Sequence, residues 1–324
     1  MGDPKRATVT LDFEKPLVEL EEKILALQQS ASENDVDVRD EVERLRKQVE
    51  KRSKEIFGSL DPWQRVQLAR HPRRPTMLDY VERIFDDFKE LHGDRAYRDD
   101  PSIVGGMARI GEQRVMVVGH QKGRDTKSNI RRNFGMPHPE GYRKALRLME
   151  LAAKFGRPIV TFVDTPGAFP GVGAEERGQA EAIARNLREM ARMRVPIIVF
   201  VTGEGGSGGA LAIAVGDRVY MLENSIYSVI SPEGCAAILW KDQTKAAEAA
   251  AAMKITADDV SQLGVVDEVL PEPLGGAHRD PDAAAQTVRE VMLAALAELE
   301  HVDPERRVDD RLQKFLNMGV YEQL

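Results

Sequence analysis

The chain has 324 residues, 42% of them hydrophobic, so it is long enough to bury a substantial core in one large domain or two smaller ones. Its formal net charge of −7 argues against nucleic acid as a main partner, and its single cysteine, Cys235, excludes an internal disulfide and a cysteine-based zinc or iron–sulfur site. No apolar run reaches the roughly 18 residues that a membrane-spanning helix needs, so we expect no membrane contact and a cytoplasmic protein.

The first 57 residues have the pattern of paired helices. Apolar residues recur every three or four positions in two runs, Leu17, Leu20, Ile24 and Leu27, then Val38, Val42, Leu45 and Val49. Two antiparallel helices or one interrupted helix fit this pattern. Each run is too short for a free-standing coiled coil, so we expect residues 1–57 to dock, either on the domain formed by 58–324 or on a partner subunit.

A helix, a hairpin and a basic loop are predicted next. Thr76 caps a helix expected over 77–91, and strands over 103–110 and 113–120 flank Gly111-Glu112. The basic loop follows the second strand and contains Lys122, Arg124, Lys127, Arg131 and Arg132. Such a loop fits phosphate or carboxylate binding, and equally a solvated loop in an acidic protein. A helix over 140–155 follows.

Two successive units then share one design, a buried strand, a glycine-rich turn and a helix. The first has a strand over 158–163, a turn over 164–173 and a helix over 174–193. The second has a strand over 197–201, the glycines of 203–209 and a helix of small residues. We expect both turns at the sheet edge where α/β folds bind ligands. The later predicted elements are strands 218–222, 226–230 and 265–270 and helices 231–240, 246–253, 256–264, 282–299 and 307–317.

The sequence of the second turn matches more than one known motif. Its G-x-S-x-G at 205–209 matches a nucleophile elbow around Ser207, but neither His278 nor His301 is in a setting typical of a catalytic triad. The G-x-G-x-x-G at 203–208 lacks the acidic residue expected about 20 positions further on. No P-loop motif supports a nucleotide site, and the six histidines are scattered, so no metal site is expected. Glu204 is either a ligand contact or an exposed turn residue.

The backbone of the two turns is the remaining candidate for chemistry. Glycines let a ligand approach closely, and the amides at a helix N-terminus stabilise negative charge on oxygen. One such donor contributes about 3 to 4 kcal/mol of transition-state stabilisation. Enolate and ureido oxygens suit a site of this kind. The plainer alternative is that the glycines serve only close packing of strand and helix.

Five blocks of sequence resemble the carboxyltransferase α subunit of bacterial acetyl-CoA carboxylase, in the crotonase superfamily. They are L-D-F-E-K-P-L-V-E-L-E-E-K-I at Leu11, R-N-F-G-M-P-H-P-E-G-Y-R-K-A at Arg132, P-G-A-F-P-G-V-G-A-E-E-R-G-Q at Pro166, E-G-G-S-G-G-A-L-A at Glu204 and S-P-E-G-C-A-A-I-L-W at Ser231. The likeness runs from Leu11 to about Leu299. It implies an α/β, crotonase-like spiral of ββα units with an N-terminal helical segment.

The resemblance also implies a reaction and its partners. In that family, a carboxyl group moves from carboxybiotin, on a biotin carboxyl carrier protein, to acetyl-CoA and gives malonyl-CoA for fatty-acid synthesis. The chain is expected to assemble with a zinc-bearing β subunit as an α2β2 heterotetramer, beside a biotin carboxylase, and to hold no metal itself. Acetyl-CoA would lie mainly on the β subunit, so this chain would supply half of a site.

Site residues follow from the same resemblance. The backbone amides of Gly205, Gly206, Gly208 and Gly209 are expected to stabilise an oxyanion, and Gly167, Ala168, Phe169 and Gly171 to hold carboxybiotin. The candidates for phosphate or carrier contacts are Arg124, Lys127, Arg131 and Arg132. Two alternatives stay open: a self-contained crotonase-type acyl-CoA hydratase, isomerase or serine hydrolase that uses Ser207, and a non-enzymatic assembly subunit.

Overall fold

One sheet of eight strands organises the fold. The computed structural model describes residues 9–34 and 37–319, so the first eight residues of the predicted N-terminal segment lie outside the described part. The strands are β1 (Asp86–Glu90), β2 (Ile103–Ile110), β3 (Gln113–His120), β4 (Ile159–Thr165), β5 (Ile197–Gly206), β6 (Arg218–Leu222), β7 (Ile226–Ser228) and β8 (Glu268–Leu270). Their order is β1-β2-β3-β4-β5-β6-β8, and β7 pairs with the end of β5.

The sheet changes from antiparallel to parallel at β3. Strands β1, β2 and β3 pair antiparallel, and the hairpin turn has Gly111 at φ 56°, a conformation that glycine adopts without strain. From β3 onward every pairing is parallel. The carboxyl ends of β4 and β5 therefore lie side by side, which is where the two predicted turns begin.

Helices cover both faces of this sheet. They are α1 (Lys15–Asn34), α2 (Arg39–Phe57), α3 (Pro62–Ala69), α4 (Met77–Ile84), α5 (Thr126–Arg131), α6 (Pro139–Lys154), α7 (Val172–Glu176), α8 (Gln179–Arg192), α9 (Ser207–Leu211), α10 (Pro232–Trp240), α11 (Ala246–Met253), α12 (Ala257–Gln262), α13 (Pro281–Glu300) and α14 (Pro304–Leu316). No helix within the described ranges is long and apolar enough to cross a membrane.

The strands bury alternate residues in two separate core layers. Ile197, Val199 and Val201 of β5 pack in the layer formed with α6 and α8, whereas Ile198 and Phe200 pack in the layer formed with α4 and α13. This is the two-residue period of a strand that is covered on both faces. In the second layer, stacked rings run from Phe162 to Phe200 and on to Tyr220, with centroid separations of 5.8 and 5.3 Å.

The N-terminal segment contains two separate helices, which decides between the two predicted arrangements. Leu20, Ile24 and Leu27 of α1 pack with Val42 and Leu45 of α2, as the apolar runs indicate. The buried Glu14, which directly precedes α1, lies 2.9 Å from Nε2 of His278, and Glu21 of α1 pairs with Arg279 at 2.7 Å, so the start of this segment contacts the rest of the chain. The division of the chain at residue 57 stays a prediction.

The prediction of one helix over 77–91 is wrong in its second half. Helix α4 ends at Ile84, and Asp86–Glu90 forms the edge strand β1 against β2. A Cβ on Gly106 would lie 2.2 Å from the carbonyl oxygen of Lys89, so this glycine of β2 is what lets the edge strand approach. The pairing with β2, which is not visible in a local pattern, decides the structure here.

Other boundaries also differ from the predictions. The helix predicted over 174–193 is divided into α7 and α8 at Gly178, which has φ 81° and interrupts the helical backbone. The predicted basic loop contains the short helix α5, which Asp125 caps through the amide of Ser128. Strand β5 runs on through the first glycines to Gly206, and only five residues of helix follow.

Candidate active site

The two predicted turns meet at one edge of the sheet. Strands β4 and β5 are parallel neighbours, and Thr165 pairs with Gly205 at their carboxyl ends. The first turn continues from Thr165 and the second from Gly206, so both open on the same side. The expectation from the sequence that the turns share an edge is confirmed.

Missing side chains allow the turns to touch. A Cβ on Gly206 would lie 2.2 Å from the carbonyl oxygen of Pro166, and one on Gly209 would lie 2.5 Å from the backbone nitrogen of Ala168. Both distances are too short for any Cβ. Gly167 itself has φ +150°, within the region that favours glycine. The structure thus brings Gly167 and Ala168 together with Gly206 and Gly209.

Some backbone amides of the two turns already donate hydrogen bonds within the protein, and others lie at the start of a helix. The amide of Phe169 donates to the carbonyl of Pro137 at 3.0 Å, and the amide of Gly167 donates to the hydroxyl of Thr165 at 3.1 Å. Gly205 pairs with strands on both sides. Gly206 pairs with Ser228 of β7. The amides of Ser207, Gly208 and Gly209 form the first turn of α9, where backbone donors have no partner within the helix.

A chain of five charged side chains lies directly beside the second turn. Nζ of Lys122 is 2.8 Å from Oε1 of Glu204 and 2.7 Å from Oδ1 of Asp164. Arg70 joins Glu204, at 2.6 Å, to Glu233 of α10, also at 2.6 Å. We call Glu233, Arg70, Glu204, Lys122 and Asp164 the charge chain.

Burial and charge act in opposite directions on the pKa values in this charge chain. Burial favours the neutral form of Glu204, but Lys122 and Arg70 outweigh it and hold the pKa of Glu204 below its usual value. Burial also disfavours the charged form of Lys122, but Asp164 and Glu204 raise the pKa of its ammonium group above the ordinary lysine value. Glu204 and Lys122 are therefore both charged at neutral pH.

The sequence interpretation overlooked most of this charge chain. Glu204 was considered either a ligand contact or an exposed turn residue, but its side chain is buried in the strand and paired with two cations. Asp164 and Arg70 were not assigned any role. A signal was present, because Asp164 directly follows the apolar residues of one strand and Glu204 comes three residues after Val201 of the next, where an unpaired charge is costly.

The four predicted basic contacts do not form one cluster. Arg124 pairs with Asp79, and Arg132 donates to the carbonyl of Pro101 at 2.7 Å. Both line a cavity of about 360 Å³ next to Lys122. Lys127 and Arg131 are exposed on α5 and do not line that cavity. A role for them in binding phosphates or the carrier stays a prediction.

Ser207 has a feature of a nucleophile elbow without its partners. Its φ of 49° is unusual for a residue with a side chain, and the residue is exposed. Among the described residues, the ring of His278 is engaged with Glu14 and the ring of His138 packs on Phe169 at 4.5 Å. No described histidine has a hydrogen bond to Ser207, so the triad needed for a serine hydrolase is not assembled here.

Two histidines that were expected to be scattered lie together near the N-terminal segment. His71 and His278 stack at 4.0 Å, and Glu14 lies within reach of both. The amide of Arg73 donates to Nδ1 of His71, so Nε2 carries the proton and donates to the carbonyl of Val9. Burial and the neighbouring His278 lower the pKa of His71 to about 4, which keeps its ring neutral. These contacts describe a hydrogen-bonded cluster that fastens α1 to the body of the protein.

Comparisons with known proteins agree over nearly the whole length. Residues 10–319 match the family model described as acetyl co-enzyme A carboxylase carboxyltransferase-like. A relative from Geobacter metallireducens, named acetyl-coenzyme A carboxylase carboxyl transferase subunit alpha, is 62% identical over 96% of this chain and 98% of its own. A relative of the same name from Thermus thermophilus is 58% identical over 96% of this chain and 98% of its own.

Solved structures show the same fold at lower identity. A chain of the transcarboxylase 12S hexamer, with methylmalonyl-coenzyme A bound, is 22% identical, with a TM-score of 0.57 over 70% of this chain and 42% of its own. The Pseudomonas malonate decarboxylase MdcD–MdcE heterodimer gives 21% identity and a TM-score of 0.53 over 67% of this chain and 91% of the matched chain. The predicted α/β, crotonase-like carboxyltransferase fold is confirmed. On sequence and fold together, the chain belongs to the family of acetyl co-enzyme A carboxylase carboxyltransferases.

Proposed function

We propose that this chain is the α half of a carboxyltransferase that moves a carboxyl group from carboxybiotin to acetyl-CoA and gives malonyl-CoA. The observation that carries the proposal is the contact between the two turns, in which Gly206 and Gly209 lie against residues 166–168. The names of the relatives support the same reaction.

The chemistry of the site rests on backbone donors. The paired turns are rich in glycine and expose backbone rather than large side chains around Gly208 and Gly209, which suits the approach of a flat, neutral ring such as the ureido ring of biotin. Carboxybiotin supplies the carboxyl group and, once that group leaves, a nitrogen that takes up a proton. The amides of Gly208 and Gly209, at the start of α9, stabilise negative charge that develops on an oxygen at the paired turns. The hydroxyl of Thr165 fixes the first turn, since its oxygen accepts from the amide of Gly167 at 3.1 Å and lies 2.6 and 2.8 Å from the carbonyl oxygens of Gly135 and Gly167, to one of which it donates its single hydrogen.

A second chain completes the site in this proposal. Strand β7 pairs with the glycine stretch of β5 and leads directly into α10, whose Ile238 and Leu239 are 62% and 63% exposed. Val229, between β7 and α10, and Trp240, at the end of α10, are also exposed. Large apolar side chains that remain exposed beside a site indicate an interface. We assign this surface to the β subunit, which would carry zinc and acetyl-CoA.

The remaining partners follow from the same reaction. A biotin carboxyl carrier protein delivers the carboxylated ring and a biotin carboxylase recharges it, in the cytoplasm. Arg124 and Arg132, which line the cavity beside Lys122, are the better placed of the four basic candidates for a phosphate or carrier contact.

Ser207→Ala in the assembled enzyme tests the backbone mechanism against the alternative that uses this side chain. Because the proposal gives no role to the hydroxyl, we expect the rate of malonyl-CoA formation to change by less than about threefold, as for an exposed substitution. Loss of a nucleophile would instead lower kcat by several orders of magnitude, on the order of 10⁶ in a serine protease. A loss of that size, with an unchanged melting temperature, would reject the proposed mechanism.

A further inference from the structure

The charge chain connects five separate elements at the point where the glycine stretch begins. Arg70 comes from the end of α3, Lys122 from the segment after β3, Asp164 from β4, Glu204 from β5 and Glu233 from α10. Its three carboxylates outnumber its two cations. Both oxygens of Glu204 are used, one by Lys122 and one by Arg70.

Gly203 at the start of the second turn and Gly135 outside both turns make room for this charge chain. A Cβ on Gly203 would lie 2.3 Å from Oδ1 of Asp164, and a Cβ on Gly135 would lie 2.7 Å from Cγ of Lys122. Gly135 also has φ 76°, which a residue with a side chain rarely adopts. The backbone is therefore shaped to bring this lysine and this aspartate together.

Asp164 transmits the position of Lys122 to the backbone of the site. Its Oδ1 accepts the amide hydrogen of Glu204 at 3.0 Å and lies 2.7 Å from Nζ of Lys122. Glu204 lies between Gly203 and Gly205, so this bond fixes the strand within the first residues of the glycine stretch. The carboxylate of Glu204 is in turn held from both sides by Lys122 and Arg70.

Loss of the lysine would leave two carboxylates facing each other. Asp164 and Glu204 both contact the same Nζ, so without it only Arg70 remains to pair with Glu204. The other charges nearby do not replace it, because Arg74 is paired with Glu272 and Glu233 is itself an acid. Two buried carboxylates in one site do not both stay ionised near neutral pH. The buried His120, whose pKa Lys122 helps to lower, is the other titratable group beside this site, so uptake of a proton by the carboxylates or by His120 would replace the lost positive charge.

We propose that Lys122 is a positioning residue of the transfer reaction, which holds Asp164 and Glu204 together and so sets the glycine stretch in its working geometry. This inference rests on the proposed function of the two turns. Lys122 acts through the backbone of Glu204 and does not itself need to touch either substrate. A lysine in this place is neither a general base nor a phosphate contact, because its ammonium group is neutralised by two carboxylates.

Lys122→Met in the complete enzyme with its β chain tests the inference through a pH profile. The methionine keeps the volume but removes the charge, so uptake of a proton is needed and the variant is expected to work better in acid than in base. We expect kcat relative to wild type to fall by about fivefold or more between about pH 6.5 and about pH 8.5. KM for acetyl-CoA should change by less than about twofold, because that substrate lies on the other chain.

Two further variants keep the test decisive if Lys122→Met is unstable. Lys122→Met combined with Glu204→Gln removes the facing pair of carboxylates, so its activity relative to wild type is expected to be independent of pH over the same interval. Lys154→Met, an exposed lysine at the end of α6, is the matched control and should follow the wild-type profile. A flat ratio for Lys122→Met, or a sloping one for the double variant, would overturn the positioning role. A wild-type enzyme without transferase activity would instead reject the proposed function.

Discussion

Gly209 shows how a single hydrogen atom in place of a side chain sets the geometry of the site. Its missing Cβ would stand 2.5 Å from both the nitrogen of Ala168 and the carbonyl carbon of Gly167. These neighbours are backbone atoms of a turn and cannot rotate away. Gly208, the next residue back, would place a Cβ 3.7 Å from the side chain of Ile183, which is an ordinary contact.

Alanine substitutions at Gly208 and Gly209 distinguish the structural roles of these two residues. Gly209→Ala forces the turns apart, and we expect the free energy of unfolding to fall by about 1 to 3 kcal/mol, the usual effect of overpacking. Gly208→Ala has room and is expected to leave the melting temperature of the isolated chain unchanged or slightly raised. Thermal unfolding followed by circular dichroism measures both. Equal melting temperatures for the two variants would show that the turns are not in contact as described.

The second glycine turn, residues 203–209, also shows what a sequence can indicate about single residues. The density of glycine predicted the close approach of a ligand to the turn. The structure shows that Gly206 and Gly209 admit the backbone of the other turn, and the approach of a ligand stays a prediction. The neighbour that each glycine admits was not predictable, because Asp164 beside Gly203 and Tyr227 beside Gly205 are distant in the chain. Lys122 was noticed only as one member of a basic loop, since its two acidic partners come from other strands.

Elements with long apolar runs were predicted well, and short ones at the edge of the sheet were not. Strand β4, helix α6 and the hairpin of β2 and β3 lie within a few residues of their predicted bounds. Strand β1 was predicted as the end of a helix, because a few apolar residues at spacings of three or four fit α4 and its extension equally. Its pairing with β2 depends on contacts about 20 residues away along the chain.

The prediction for a single secondary-structure element concerns helix α10. Ile238→Asp puts a charge on the exposed apolar surface assigned to the β subunit, so we expect the chain to remain folded but to lose co-elution with β. Phe155→Asp is the matched control, because Phe155 is also 62% exposed but follows α6, before the amino end of β4. Size-exclusion chromatography of the mixed chains gives the readout. Normal assembly of the Ile238→Asp variant, or equal loss with both variants, would contradict the assignment of α10.

The described part of the molecule contains one sheet, with both glycine turns at the carboxyl ends of β4 and β5 and the helices α1 and α2 preceding it in the chain. The family blocks identified the fold and the enzyme class from sequence, since several independent segments agree from Leu11 onward. The sequence leaves the docking of the N-terminal helices open. The contacts of Glu14 with His278 and of Glu21 in α1 with Arg279 show that this segment packs on the body of the same chain. Glu14 and His278 are 264 positions apart in the chain, so no local pattern indicates their contact. A role for α2 in contacts between subunits stays open to the same assembly experiment.

The central claim is that this chain supplies half of a carboxyltransferase site. The most direct measurement is the initial rate of carboxyl transfer between malonyl-CoA and biocytin, for the purified chain alone and after titration with a purified zinc-bearing β chain. We expect no transfer by either chain alone and a rate that saturates when the two chains are present in equal amounts. Transfer by this chain alone at the rate of the mixture would contradict the account, because the two glycine turns would then form a complete site.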